Sequence, residues 1–149
     1  MGMYAALGIS ATGLAAERLR MDVIANNLAN ADSTKGVGDA YRRKVVEFAP
    51  APGGAQFALP RPAGIDSTDG AADMHGVDVT GIVEDAAPLR KLYDPGNPDA
   101  DQKGYVTKPN VDAVVEMTDM VAATRAFEAN VTAFEATKSM AKDALRIIS

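Results

Sequence analysis

VIANNLANADSTKG, residues 23 to 36, is where the reading of this chain turns. An apolar helical pattern runs into it, yet Asn26, Asn27 and Asn30 fall close together, where Ala or Glu would form a better helix. Two readings of the amides stand side by side. In one they end a helix, because Asn caps well and tolerates the left-handed conformation. In the other they lie at subunit contacts, where a buried amide accepts only the register that satisfies its hydrogen bonds.

Upstream, Leu7, Leu14, Met21 and Leu28 recur every seventh residue, with Ile24 filling the intermediate position. That spacing predicts a coiled-coil-like seam over residues 3 to 30, weakened by Glu17 on the seam and by Gly8 and Gly13. Leu19 and Val23 form a second apolar pair off the seam, and a helix with two apolar faces needs more than one neighbour.

The far end repeats the pattern. Asn110 is the expected N-cap, Asp112 and Glu116 favour the positive end of the dipole, and Lys138, Lys142 and Arg146 favour the negative end. Met117, Met120, Thr124, Phe127, Val131, Phe134, Lys138, Ala141, Leu145 and Ile148 fall on one stripe at alternating spacings of three and four. As one helix, residues 111 to 147 measure about 55 Å, whereas a compact globule of this chain length is roughly 40 Å across. The helix therefore protrudes.

All 8 prolines and 10 of the 13 glycines lie between these helices. Within that middle, residues 41–48, 77–85 and 88–95 alternate partly like strands, and the segment near 50–76 reads as a flexible loop. The expected fold is mainly α with a small β part, its long terminal helices packed as an antiparallel coiled-coil-like pair. Its parts are an N-terminal assembly helix with its signature over 1–36, a small β or irregular middle over 37–110, and a C-terminal assembly helix over 111–149.

A net charge of -5 provides no basic stripe for nucleic acid. Cysteine is absent, which removes disulfides and thiolate chemistry. The only histidine is His75, so no triad or two-histidine metal site assembles. Asp66, Asp69 and Asp73 near it are read as solvated loop residues, because Gly and Ala neighbours preorganise nothing. DADQKG, residues 99–104, imitates the start of a calcium loop but puts Lys103 in the would-be cage and Asn110 where a bidentate Glu is needed. The Arg42, Arg43, Lys44 run is read as a charged strand edge rather than a binding patch. No catalytic residue, metal, cofactor or small-molecule substrate is expected. The N-terminus lacks the basic region, apolar run and cleavage site of a secretory signal.

Residues 11–36, ATGLAAERLRMDVIANNLANADSTKG, resemble the N-terminal signature of the flagellar rod, hook and related axial proteins of bacteria, centred on Asn27, Leu28, Ala29 and Asn30. Ser33 stands where many members carry Thr, with Thr34 following. GVDVTGIVED, LYDPGNPDADQKGYVTKPNVDAVVEMTDM and TRAFEANVTAFEATKSMAKDALRI are similar to the proximal-rod members of that family. The resemblance implies a structural subunit, exported by the flagellar type III apparatus without a cleaved signal. It implies polymerisation into the rod that crosses the periplasm and transmits torque from rotor to hook. Implied neighbours are further copies, other rod proteins, the hook-basal-body linker protein and the surrounding basal-body rings. Alternatives from other classes are a small periplasmic metal-dependent hydrolase and a cytoplasmic coiled-coil export adaptor.

Energetics ties the two lines together. Burying one large apolar side chain stabilises by roughly 1.5 to 3 kcal/mol, and ordering each residue's backbone costs about 1 to 2. A solitary hairpin of these ends is therefore marginal, and stacking against neighbours completes it. The expected assembly contacts are Leu14, Met21, Ile24, Asn27, Leu28 and Asn30 on the first helix. On the second they are Met117, Met120, Phe127, Val131, Phe134, Leu145 and Ile148.

Overall fold

The computed structural model describes residues 2–34, 40–52 and 76–148. Helix α1 spans Gly2–Ala29, and strands β1 (Lys44–Pro50), β2 (Val77–Glu84), β3 (Arg90–Tyr93) and β4 (Tyr105–Lys108) precede helix α2, Ala113–Ile148. The chain is mainly helical with a small β part. His75, Asp66, Asp69 and Asp73, and most of the 50–76 loop, lie outside the described residues.

Helix α1 is 28 residues long, about 42 Å at roughly 1.5 Å per residue. It runs through Asn26 and Asn27 and stops just before Asn30: the Asn30 and Ala31 amides close short bonds to Asn27 O and Leu28 O, and Asn30 Nδ2 donates to Asn26 O at 2.8 Å. These three-residue bonds and the side-chain cap satisfy carbonyls that a helix end leaves open. No described residue other than glycine has positive φ. Asn30 thus ends the helix by hydrogen bonding and not by the left-handed conformation expected of it.

Helix α2 runs 36 residues without a break, about 54 Å. Its N-cap is Asp112, not Asn110. Asp112 O accepts from the Glu116 amide at 2.9 Å, and Asp112 Oδ1 accepts from the Val114 amide at 3.0 Å, which is cap geometry. Arg90 holds the same carboxylate at 3.1 Å.

Three contacts fix how the helices lie. An added Cβ at Gly13 would sit 3.1 Å from Asn130 Nδ2, Thr124 Oγ1 meets Met21 Sδ at 3.7 Å, and Asn27 bonds Glu116 at 3.0 Å. Positions rise along α1 as they fall along α2, so the pair is antiparallel. Gly13, a weakness in sequence, is a point of close approach. Glu116, Ala123 and Asn130 sit seven apart, with Ala123 fully buried. This row lies one residue ahead of Met117, Thr124 and Val131 on the stripe read from sequence, and Met117 is correspondingly turned out, 55% exposed.

The other side of α1 carries the antiparallel β1–β2 pair, in register from Lys44↔Glu84 to Pro50↔Val77 with a bulge between Glu47 and Phe48. The sheet contacts α1 alone, so α1 lies between sheet and α2, as its two apolar faces require. Thr12 Oγ1 accepts from Val77 N at 3.1 Å at one end of the sheet, and Asn27 clasps Lys44 at the other. Thr12 to Asn27 spans roughly 22 Å of helix, close to the roughly 24 Å that seven residues of strand cover.

Gly76 is required at that junction. A Cβ there would lie 2.5 Å from Thr12 Oγ1. Gly76→Ala is expected to destabilise the chain by about 1 to 3 kcal/mol, and Thr12→Ala in the same chain to recover part of the loss. A double-mutant cycle by urea unfolding checks this; additive losses would disprove the contact.

The β3–β4 pair, Arg90↔Lys108 to Tyr93↔Tyr105, was only half legible: β3 falls in an expected strand, whereas β4 was not foreseen. Its turn is made by carboxylates bonding backbone. Asp101 Oδ1 accepts from Lys103 N at 2.8 Å and Tyr105 N at 2.9 Å, and Gly104 takes φ +79°. Val106 of β4, and Pro109 and Val111 just after it, are buried. Those two amide bonds, Tyr105 first and then Lys103, hold the Asp101 carboxyl below its ordinary value of 3.8. A depressed folded value gives stability that is complete above 3.8 and lost as pH falls through the lower folded value. Melting temperature is therefore expected to drop on the acid side of that value, with a shallower drop in Asp101→Asn.

Candidate functional site

The base of the helix pair is closed by a buried polar cluster drawn from both helices and the segments between them. Asn27, 1% exposed, uses its whole amide: Nδ2 donates to Lys44 O at 2.8 Å and Glu116 Oε2 at 3.0 Å, while Oδ1 accepts from Lys44 N at 2.9 Å and the Tyr41 hydroxyl at 2.8 Å. Glu116 is fully buried, and its second oxygen accepts from Arg43 Nε at 2.6 Å. Arg43 also reaches Asp119 at 3.2 Å and Asp85 at 3.8 Å. Asn110 accepts from Arg43 N at 2.8 Å and donates to Ala87 O at 3.2 Å.

A carboxylate out of water is tolerated only when paired and hydrogen-bonded, and Glu116 has both. The Glu116 hydrogen bond raises the Arg43 guanidinium above its ordinary value, keeping it charged. Burial, and then the charges of Glu116 and Glu84, raise the Tyr41 phenol, keeping it a neutral donor. The Arg43 side chain, read from sequence as strand-edge charge, ties the residue just before β1 to α2. No local signal marks it, because its partners lie 42 to 76 residues away.

The expected contact residues divide. Ile24 (5% exposed) and Asn27 are enclosed in their own chain. Leu14, Met21, Leu28 and Asn30 on α1, and Met120, Phe127, Val131 and Phe134 on α2, are half-buried. Met117 and Leu145 are exposed, Leu145 by 68%. The side chain of Ile148 lies outside the described residues. Among the described residues, every buried side chain or glycine of the two helices falls between Gly13 and Asn27 or between Glu116 and Ala123.

Two surface clefts of about 510 to 520 Å³ flank the base, one lined by Tyr41, Arg42, Lys44, Glu84, Leu89 and Thr107, and a third of about 510 Å³ lies at the β3–β4 turn against Lys91, Asp101, Lys103 and Tyr105. Among the described residues no three His, Cys, Asp or Glu side chains are grouped to hold a metal ion. No described helix is long and apolar enough to cross a membrane.

Residues 7–36 match the family described as flagella basal body rod protein, and residues 102–147 match the flagellar basal body rod FlgEFG protein C-terminal family. Flagellar basal-body rod protein FlgC of Borreliella burgdorferi is 42% identical over 154 residues, covering 99% of each chain. That of Bacillus subtilis is 43% identical over 152 residues, again covering 99% of each. That of Salmonella typhimurium is 39% identical over 141 residues, covering 94% of this chain and 93% of its own. The matches cover both helices and the polar cluster between them, and the chain belongs to the FlgC family of flagellar basal-body rod proteins, as a structural subunit of the rod.

Proposed function

We propose that the chain polymerises through its terminal helices in the proximal rod, where it carries torque from rotor to hook. The supporting observation is the uneven core: the base of the helix pair is closed, while its outer half presents Leu7, Phe127, Val131 and Phe134 without burying any of them. Packing between copies along that half completes a coiled-coil-like seam and couples ordering to assembly. Contacts that repeat head to tail without closing build a helical tube. Many interlocked helices then share the load. Of the expected contact residues, Ile24 and Asn27 serve the subunit's own core, and the half-buried and exposed ones serve its neighbours.

Other rod proteins, the linker to the hook, the surrounding rings and the export apparatus are the proposed partners. Export proceeds without signal cleavage. The test is replacement of the natural chain by one with Phe127→Ala and Phe134→Ala. The lone subunit is expected to keep its thermal transition within a few degrees, while swimming and recovery of the chain in purified basal bodies fall at least tenfold. Normal swimming with both rings removed would refute assembly through these helices.

A further inference from the structure

Helix α2 has a second apolar face, turned away from α1. Val114, Met117 and Val121 stand three and four residues apart and are 73%, 55% and 52% exposed. Continuing along the same face come Arg125 and Glu128, both exposed. The outward face of α1 carries the exposed series Arg18, Asp22, Ala25 and Ala29. Among the described residues none of these four charged side chains is in an ion pair.

The two faces are complementary in one antiparallel register. Asp22 set against Arg125 brings Arg18 against Glu128, and the same alignment lays Val121 on Ala25 and Met117 on Ala29. Opposite charges meet twice, and Val121 and Met117 each meet an alanine, so the backbones approach and these two side chains are covered, while Val114 lies past the end of α1 at Ala29. A parallel alignment also finds opposite charges, Arg18 on Glu135 and Asp22 on Lys138. It carries Met117 as well as Val114 to or past the start of α1 and so leaves Met117 bare, where the antiparallel register covers it, which disfavours it.

We propose that the occupant of this face is a second copy of the chain, the outward face of α1 in one copy receiving α2 of the next. This rests on the rod reading and specifies its lateral contact. The contact is heterologous, so it propagates. Its register differs by two or three residues from that of the pair inside each chain. Successive copies therefore lie parallel, with a stagger of about 4 Å at roughly 1.5 Å per residue.

The absence of cysteine makes the test clean. A chain carrying both Ala25→Cys and Val121→Cys replaces the natural one, basal bodies are purified, and a mild oxidant is applied. The expected result is loss of most of the monomer band into dimers and higher multiples of this chain. Either single variant, and an out-of-register pair of Ala15→Cys with Val121→Cys, stays monomeric. Variant chain present in basal bodies but not self-linked, or linked to a different protein, overturns the contact while the rod reading stands. Variant chain absent from basal bodies, when the unsubstituted chain expressed alongside is also absent, overturns both.

Discussion

Arg43→Met is expected to destabilise the lone subunit by about 3 to 5 kcal/mol, the range for removing one partner of a buried ion pair. That is a large share of the roughly 5 to 15 that holds a domain together. The reason lies with the partner. Glu116 has no solvent exposure, and without the guanidinium 2.6 Å away its charge keeps one described donor, Asn27 Nδ2. Arg43 itself is about a quarter exposed and has Asp119 and Asp85 besides, so Glu116→Leu strands it less and is expected to lose less. The double variant Arg43→Met with Glu116→Leu removes both charges together and is expected to be more stable than Arg43→Met alone, because two apolar side chains need no partners. Denaturant unfolding of the four chains measures this. A loss under 1 kcal/mol for Arg43→Met would show that the cluster does not bear on stability, and a double variant as weak as the sum of the singles would show that Arg43 and Glu116 do not act as a pair.

The same cluster marks where the sequence stops being legible. Helix positions could be read because their signals are local: seven-residue spacing in Leu7, Leu14, Met21 and Leu28, and Pro and Gly confined to the middle. Strands β1, β2 and β3 were visible as alternation, within a few residues of their ends. Strand β4 was missed because four residues, Tyr105–Lys108, hold no period long enough to recognise, and they become a strand through pairing with β3. Asn110 and Asp112 are both good capping types; only the position of Arg43 N and Ala87 O draws Asn110 away and leaves the cap to Asp112. Asn27 could be singled out by its chemistry, but not its partners, since Lys44 and Glu116 lie 17 and 89 residues off. The heptad gave the axis of the helix pair correctly and its rotation one residue late, because Glu116 and Asn130 sit on the contact row while apolar Met117 does not.

Amide exchange in the lone subunit is expected to divide each terminal helix in two. From sequence, both helices are equally short of partners and both should exchange fast along their whole length. The fold separates them. Residues 16–28 and 113–124 surround Ala16, Val23, Ile24, Asn27, Glu116 and Ala123, all buried, and the polar cluster ties them to β1. Opening there breaks the cluster and exposes that core at once. Residues 6–12 and 128–146 make their helical bonds over side chains none of which is buried, so they can fray without disturbing the base, at a free energy near the low end of local unfolding. Amides of the base are expected to exchange at least on the order of a hundredfold more slowly than those of the outer half. In purified basal bodies the difference should vanish, because neighbours then cover the outer half as well. Arg43→Met sharpens the test, since it is expected to speed exchange at the base of the lone subunit while the outer half, already fast, does not change. Uniform protection along both helices of a chain shown to be solitary by light scattering would mean that the outer half needs no neighbour, and assembly would then join preformed rods and not complete unfinished ones.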